Sequence, residues 1–265
     1  MIKYIQCRKC IGKESKTSGP GYIQKFLTGK DGVSKVEYLE ECECHKKWVE
    51  EVRVESEAKR SGLNPKWREF DIHKDYVGTK SLNNISRIIS YVDKALHAES
   101  ETVRDAVLAS SIYIYGPNGT QKTTVGNWIG YTFIRNHKKV QYILMNDLIK
   151  LLQKADRDED AQDKIEKLLN VDCLIIDEAL DPDKVTLFKS NWQLPFLDTF
   201  IRNRVNKHKG IIYISNVALK DVNEEKFEKS IKDLVTREVA AQKAELLLED
   251  NYLDNMSKVD VESLF

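Results

Sequence analysis

Residues Ser111 to Thr124, SIYIYGPNGTQKTT, constrain this chain more than any other stretch. Ser111–Tyr115 is rich in β-branched and aromatic residues and reads as a buried strand. Gly116, Pro117, Asn118 and Gly119 are turn formers. From Thr123 to roughly Asn136, the apolar residues Val125, Trp128, Ile129 and Phe133 recur at helical spacing. A strand, a glycine turn and a helix opening on Lys122 and Thr123 have the layout of a loop that cradles phosphates. Backbone N–H groups and the helix N-terminus would hold the phosphate oxygens. Lys122 would reach the β- and γ-phosphates, and the Thr123 hydroxyl would ligate Mg²⁺. The binding residues are then Gly116, Pro117, Asn118, Gly119, Thr120, Gln121, Lys122, Thr123 and Thr124. One position departs from the usual pattern. Gly normally precedes the Lys, and here the residue is Gln121, whose side chain would crowd the phosphates or restrict the backbone.

A second apolar run, Asp172–Ile176, ends in Asp177-Glu178. Downstream of a phosphate loop, that pair is the expected Mg²⁺ and water site. Asp177 would hold the ion, directly or through water, and Glu178 would polarise the attacking water. Further on, the strand Ile211–Ile214 closes on Ser215-Asn216. A polar residue at that tip can sense the γ-phosphate. Strands alternating with helices make the chain α/β.

Lysine plus arginine and aspartate plus glutamate number 42 each, so the formal net charge is +0. No global pull toward nucleic acid or membrane follows. No apolar run approaches the roughly 18–20 residues that span a bilayer, and Met1–Cys10 carries no signal-peptide pattern. A cytoplasmic, membrane-free protein is expected. Its five cysteines should then be reduced, and close pairs read as metal ligands. Cys7 and Cys10, spaced CxxC, and Cys42 and Cys44, spaced CxC, flank a hairpin (Tyr22–Leu27 and Val33–Glu40) too poor in apolar residues to fold alone. Four thiolates on Zn²⁺ would supply the missing stability. His45 is a weaker substitute for Cys44, and Cys173 reads as core.

Lys46–Arg60 reads as a charged, solvated helix broken at Ser61–Pro65. Trp67, Phe70, Ile72 and Tyr76 read as a loop that packs onto the next domain rather than binding anything. A clear amphipathic helix follows, with Ile85, Ile88, Ile89, Val92 and Leu96 on one face, and then a short helix over Glu101–Ala109. The acidic run Asp156–Asp163 reads as a solvated connection, and Asp181–Ser190 as a functional loop. A helix beginning near Pro195 ends in Arg202, Arg204, Lys207, His208 and Lys209. Glu224 to about Ala241 is helical, with Phe227, Ile231, Leu234 and Val235 inward. Ala244–Leu248 fits either more helix or a fifth strand. The expected divisions are 1–45, a zinc module; 46–80, a helical linker and loop; and 81–265, the nucleotide domain, with little or no C-terminal lid.

Taken together, CRKC…CECH, SGLNPKWREFD, YIYGPNGTQKTT, CLIIDEA, RVNKHKGIIYISN and the helix ending LVTRE resemble the AAA+ ATPases of the helicase-loader group. These include the bacterial and phage loaders of the DnaC and DnaI kind and the related transposition ATPases of the IstB kind. The resemblance implies an AAA+ P-loop core, a parallel sheet flanked by helices, with a small N-terminal zinc module. It implies ATP and Mg²⁺ as cofactors, besides Zn²⁺. It also implies roles. Gly116, Gly119, Lys122 and Thr123 match the phosphate loop, Asp177 and Glu178 the Mg²⁺ and water pair, and Asn216 the sensor asparagine. Arg204 matches an arginine commonly found before the sensor strand. Arg237 matches the arginine finger that acts on ATP held by a neighbouring subunit, for which Arg204 competes. The implied partners are a DnaB-family helicase ring, single-stranded DNA and further copies of the chain when ATP is bound. Two alternatives stand beside helicase loading. One is an IstB-like transposition ATPase on duplex DNA, the other a nucleotide-binding adaptor with little hydrolysis.

Overall fold

A computed structural model describes residues 22–28, 35–186, 193–240 and 244–250. The chain divides into two compact units, Met1–Glu57 and Ala58–Phe265. In the first, strands β1 (Tyr22–Thr28) and β2 (Lys35–Glu41) form the expected antiparallel hairpin, with Tyr22 opposite Glu41 and Thr28 opposite Lys35. Helix α1 (Glu43–Arg60) begins directly after it. Its Arg53 bridges Glu50 at 2.6 Å and Glu57 at 2.7 Å, the spacing at which oppositely charged neighbours on a helix meet.

In the second unit all five strands run parallel. They are β3 (Ile112–Tyr115), β4 (Val140–Leu144), β5 (Cys173–Asp177), β6 (Ile211–Ser215) and β7 (Glu245–Leu247), ordered β4-β5-β6-β3-β7. The three central strands are buried on both faces, which is why they read as unbroken apolar runs rather than alternating ones. Pairing with β3 resolves Ala244–Leu248 as a strand. Only three residues pair, too few for a period to be visible in the sequence.

The helices are α2 (Ile72–Asp75), α3 (Leu82–His97), α4 (Glu101–Leu108), α5 (Lys122–Arg135), α6 (Met145–Lys154), α7 (Glu159–Asn170), α8 (Leu194–Asn206) and α9 (Glu224–Ala240). Helix α5 packs on β4, β5 and β6. It comes so close that a Cβ on Gly126 would sit 2.3 Å from Ile214 Cδ1. Helix α3 buries Ile85, Ile88 and Val92, as its periodicity predicts. The acidic run Asp156–Asp163 is not a plain connection. Asp158 caps α7 by accepting from the Ala161 N–H at 3.3 Å, and Glu159 and Asp160 occupy its first turn, where the helix dipole favours negative charge. Among the described residues no helix is long and apolar enough to cross a membrane.

Candidate nucleotide-binding site

A cleft of about 440 Å³ opens at the C-terminal ends of the strands. In open parallel α/β sheets this is the edge where ligands bind. Its floor is the loop between β3 and α5. Gly116 has φ of 153°, and a Cβ there would lie 2.0 Å from the Leu248 carbonyl oxygen, so no other residue fits. Gly119 also has positive φ, at 82°. Lys122 is 7% exposed and its ammonium donates to the Pro117 carbonyl at 2.5 Å. Burial pulls its pKa down to about 8, against the pull of Asp177 and Asp181.

Gln121 opens α5 in the left-handed region, at φ 62° and ψ 12°. A side chain there costs about 1–2 kcal/mol relative to glycine. Its side chain lines the cleft, and its Nε2 donates to the Val77 carbonyl at 2.8 Å.

The two motifs meet across the cleft. Thr123 Oγ1 donates to Asp177 Oδ2 at 2.8 Å. The Tyr142 hydroxyl, from the neighbouring strand β4, donates to the same oxygen. The Glu178 N–H donates to Asp177 Oδ1 at 2.7 Å. Glu178 follows with φ of 55°, a conformation that for a non-glycine residue clusters at functional sites. Its carboxylate lies 4.0 Å from Lys184 Nζ. Asn216, at the tip of β6, donates through Nδ2 to Asp181 Oδ2 at 2.7 Å, and Asp181 is itself buried. A hydroxyl and a carboxylate side by side are hard oxygen ligands of the kind Mg²⁺ takes. The glycine-floored loop beside them, with its buried lysine, fits a polyphosphate.

Trp67, Phe70 and Asp75, in the stretch expected to pack onto the next domain, also line the cleft. Trp67 and Phe70 meet edge to face, their ring centres 6.2 Å apart. Asn64 caps the short turn that ends in Trp67, and Asp71 caps the one that ends in Asp75. Asp181, Tyr142 and Lys184 join them at the site. Asp181 and Lys184 carry a sequence signal, through their place in the loop read as functional, whereas Tyr142 carries none.

Arg204 needs correction as a catalytic candidate. It is wholly buried, and its guanidinium donates to the carbonyls of Gly210 (3.1 Å), Leu168 (2.7 Å) and Val171 (3.0 Å). Gly210 and Val171 precede β6 and β5, so Arg204 ties strand ends on the side away from the cleft. Its neighbours in the basic run are paired: Arg202 with Asp198, Lys207 with Glu166 and Lys209 with Asp172. Arg237 is different. Its side chain is 68% exposed, it lies 3.9 Å from Glu238, and it does not line the cleft. Cys7 and Cys10 lie outside the described residues. Cys42 is buried just before α1, and Cys44 and His45 stand in its first turn, where His45 Nδ1 meets Glu41 Oε1 at 2.5 Å. Among the described residues no three His, Cys, Asp or Glu side chains cluster to hold a metal ion.

Residues 92–241 match the family described as IstB-like ATP binding protein. The chain belongs to that family. No curated protein matches it. Solved structures share the IstB-like chain's fold, three of them as follows. AMPPCP-bound DnaA from Aquifex aeolicus is 17% identical with a TM-score of 0.54, over 76% of this chain and 56% of that one. DnaI is 14% identical with a TM-score of 0.53, over 71% and 94%. The DnaC helicase loader is 16% identical with a TM-score of 0.50, over 70% and 99%. The IstB-like chain thus spans little more than half of the DnaA chain. At these identities the likeness is one of fold.

Proposed function

We propose that this chain is a Mg²⁺-dependent ATPase that helps place a ring-shaped replicative helicase on single-stranded DNA. The observation that carries the ATPase reading is the 2.8 Å contact between Thr123 and Asp177, residues 54 apart in sequence. With Lys122 on one side and Glu178 on the other, they would hold a nucleotide and its Mg²⁺, which neutralises charge on the transferring phosphoryl group. Glu178 would take the proton of the attacking water, and Asn216, held by Asp181, would orient it. Trp67 and Phe70 would receive the base on their apolar faces.

The fold this chain shares with the DnaC helicase loader is in keeping with helicase loading. The family match favours a second reading, an IstB-like transposition ATPase acting on duplex DNA. One variant separates them. Glu178→Gln should bind ATP and turn it over about 10²–10⁴-fold more slowly, trapping the ATP-bound assembly. Mixed with cytoplasmic lysate and ATP, the trapped protein is expected to retain the replicative helicase in the presence of single-stranded DNA. Retention of a transposase on duplex DNA, with no helicase, would overturn loading in favour of the second reading. Wild-type turnover by Glu178→Gln would remove Glu178 from its role.

The division of labour follows the same reading. Residues 1–45 would grip the helicase, 46–80 would connect and lend Trp67 and Phe70 to the cleft, and 81–265 would carry the rest of the ATPase. Cys7, Cys10, Cys42 and Cys44 would hold one Zn²⁺. Freshly purified protein should contain about one zinc per chain, and Cys10→Ser should lose it while nucleotide affinity stays unchanged. A zinc-free protein whose thiols all titrate would sink this assignment.

A further inference from the structure

Gln121 stands where loops of this kind carry glycine, and its left-handed backbone is held from outside the loop. The carbonyl that receives its Nε2 belongs to Val77. The four residues after Val77 form a turn that wraps one carboxylate. Asp250 Oδ1 accepts from the N–H groups of Thr79 and Lys80, both at 2.9 Å, and Oδ2 accepts from Ser81 at 2.8 Å. Asp250 is 2% exposed. Burial pushes its carboxyl up, and the N–H bonds from Lys80, Ser81 and Thr79 more than offset this, leaving it below the usual range. The turn is built for the contact. Gly78 has φ of 138°, and a Cβ there would lie 2.2 Å from Asp250 Cβ. The same terminal segment also touches the loop's other flank, where Leu248 N donates to Tyr115 O at 2.7 Å. It therefore reaches the start of the phosphate loop directly, and the end of the loop through residues 77–81 and Gln121.

We propose that Asp250 and Gln121 are positioning residues of one strap, which presets the phosphate loop and couples nucleotide affinity to the order of residues 77–81. This rests on the nucleotide reading above. In a strap, removing either end breaks the same connection, so the two losses should not add. A general loosening of the fold would give losses that do.

The test measures binding of a fluorescent ADP analogue with Mg²⁺ to the full chain and to Gln121→Met, Asp250→Asn and the double variant. Met keeps the length and backbone demand of Gln but cannot donate. Each single variant is expected to bind about three- to tenfold more weakly, the worth of one or a few hydrogen bonds, and the double variant no more weakly than the weaker single. Losses that multiply in the double variant, or unchanged affinity in Gln121→Met, would overturn the strap. A second readout needs no change at Asp250. By linkage, nucleotide should slow amide hydrogen exchange at Thr79–Ser81 several-fold in the wild type and leave it unchanged in Gln121→Met. Equal slowing in both would overturn the coupling. A wild-type chain that binds no nucleotide would overturn the nucleotide reading, and the strap with it; binding with indifferent variants overturns the strap alone.

Discussion

Arg237→Ala is expected to bind ATP as the wild type does and to hydrolyse it about 10³-fold or more slowly, under conditions where the protein assembles. The expectation starts from placement. Arg237 lies on α9, largely exposed, with its guanidinium no closer than 3.9 Å to Glu238 and outside the cleft of its own chain. An exposed ion pair of this kind contributes little to stability, so the variant should fold normally. The same exposure leaves the guanidinium available to a neighbouring copy. An arginine brought to the γ-phosphate in trans stabilises charge that develops during transfer. Two consequences can be measured. Turnover per subunit should rise with protein concentration, and mixing Arg237→Ala with Lys122→Ala should restore part of it. One variant then lends the finger and the other the nucleotide site. Undiminished hydrolysis by Arg237→Ala would leave Arg237 as a surface residue.

Arg204→Met is expected to cost about 3–5 kcal/mol of folding stability, the scale seen when a buried polar network loses one partner. The three carbonyls of Gly210, Leu168 and Val171 would lose their donor in a place that water does not reach. Each orphaned group costs about 1–3 kcal/mol. Burial pulls the guanidinium down to about 10, so it stays charged at neutral pH and no proton loss softens the contact. Against a total stability of roughly 5–15 kcal/mol, the change should appear as a lower urea midpoint at unchanged slope. Arg204→Lys should lose nearly as much, because one ammonium cannot span three carbonyls held by a planar fork. The strand β5 separates Val171 from the cleft by five residues, or about 16 Å. Nucleotide affinity of the folded variant should therefore stay within about twofold. A stable Arg204→Met protein that has lost turnover would restore Arg204 to a catalytic role.

The parts of this molecule legible in the sequence are those whose information is local. The β3–loop–α5 unit and the strand ending in Asp177-Glu178 carry their signal in consecutive residues. What escaped depends on partners far along the chain. Tyr142 looks like any strand tyrosine until β4 is laid beside β5. Trp67 and Phe70 follow a helix breaker and look like packing residues, and only the return of the chain at residues 118–124 makes them a cleft wall. Arg204 shows the converse. It sits in a basic run at a helix end, yet it alone of that run is wholly buried. The three-residue strand β7 is defined by its neighbour β3 rather than by its own residues.

The order of strands in the sheet bears on how the protein is made. Strand β3 pairs with β6 and β7, with about a hundred residues and more between the partners, and Asp250 closes on residues 79–81 from about 170 residues away. Contacts of such range must close large loops first and form late. During synthesis, at about 5–20 residues per second, the phosphate loop is made well before the segment that backs it. Gly116 and Gln121 then wait for Leu248 and Asp250 to emerge. A nascent chain stalled before β7 would display the whole phosphate-loop sequence without its backing strand, so the capacity to hold nucleotide should appear only with the last residues of the sheet.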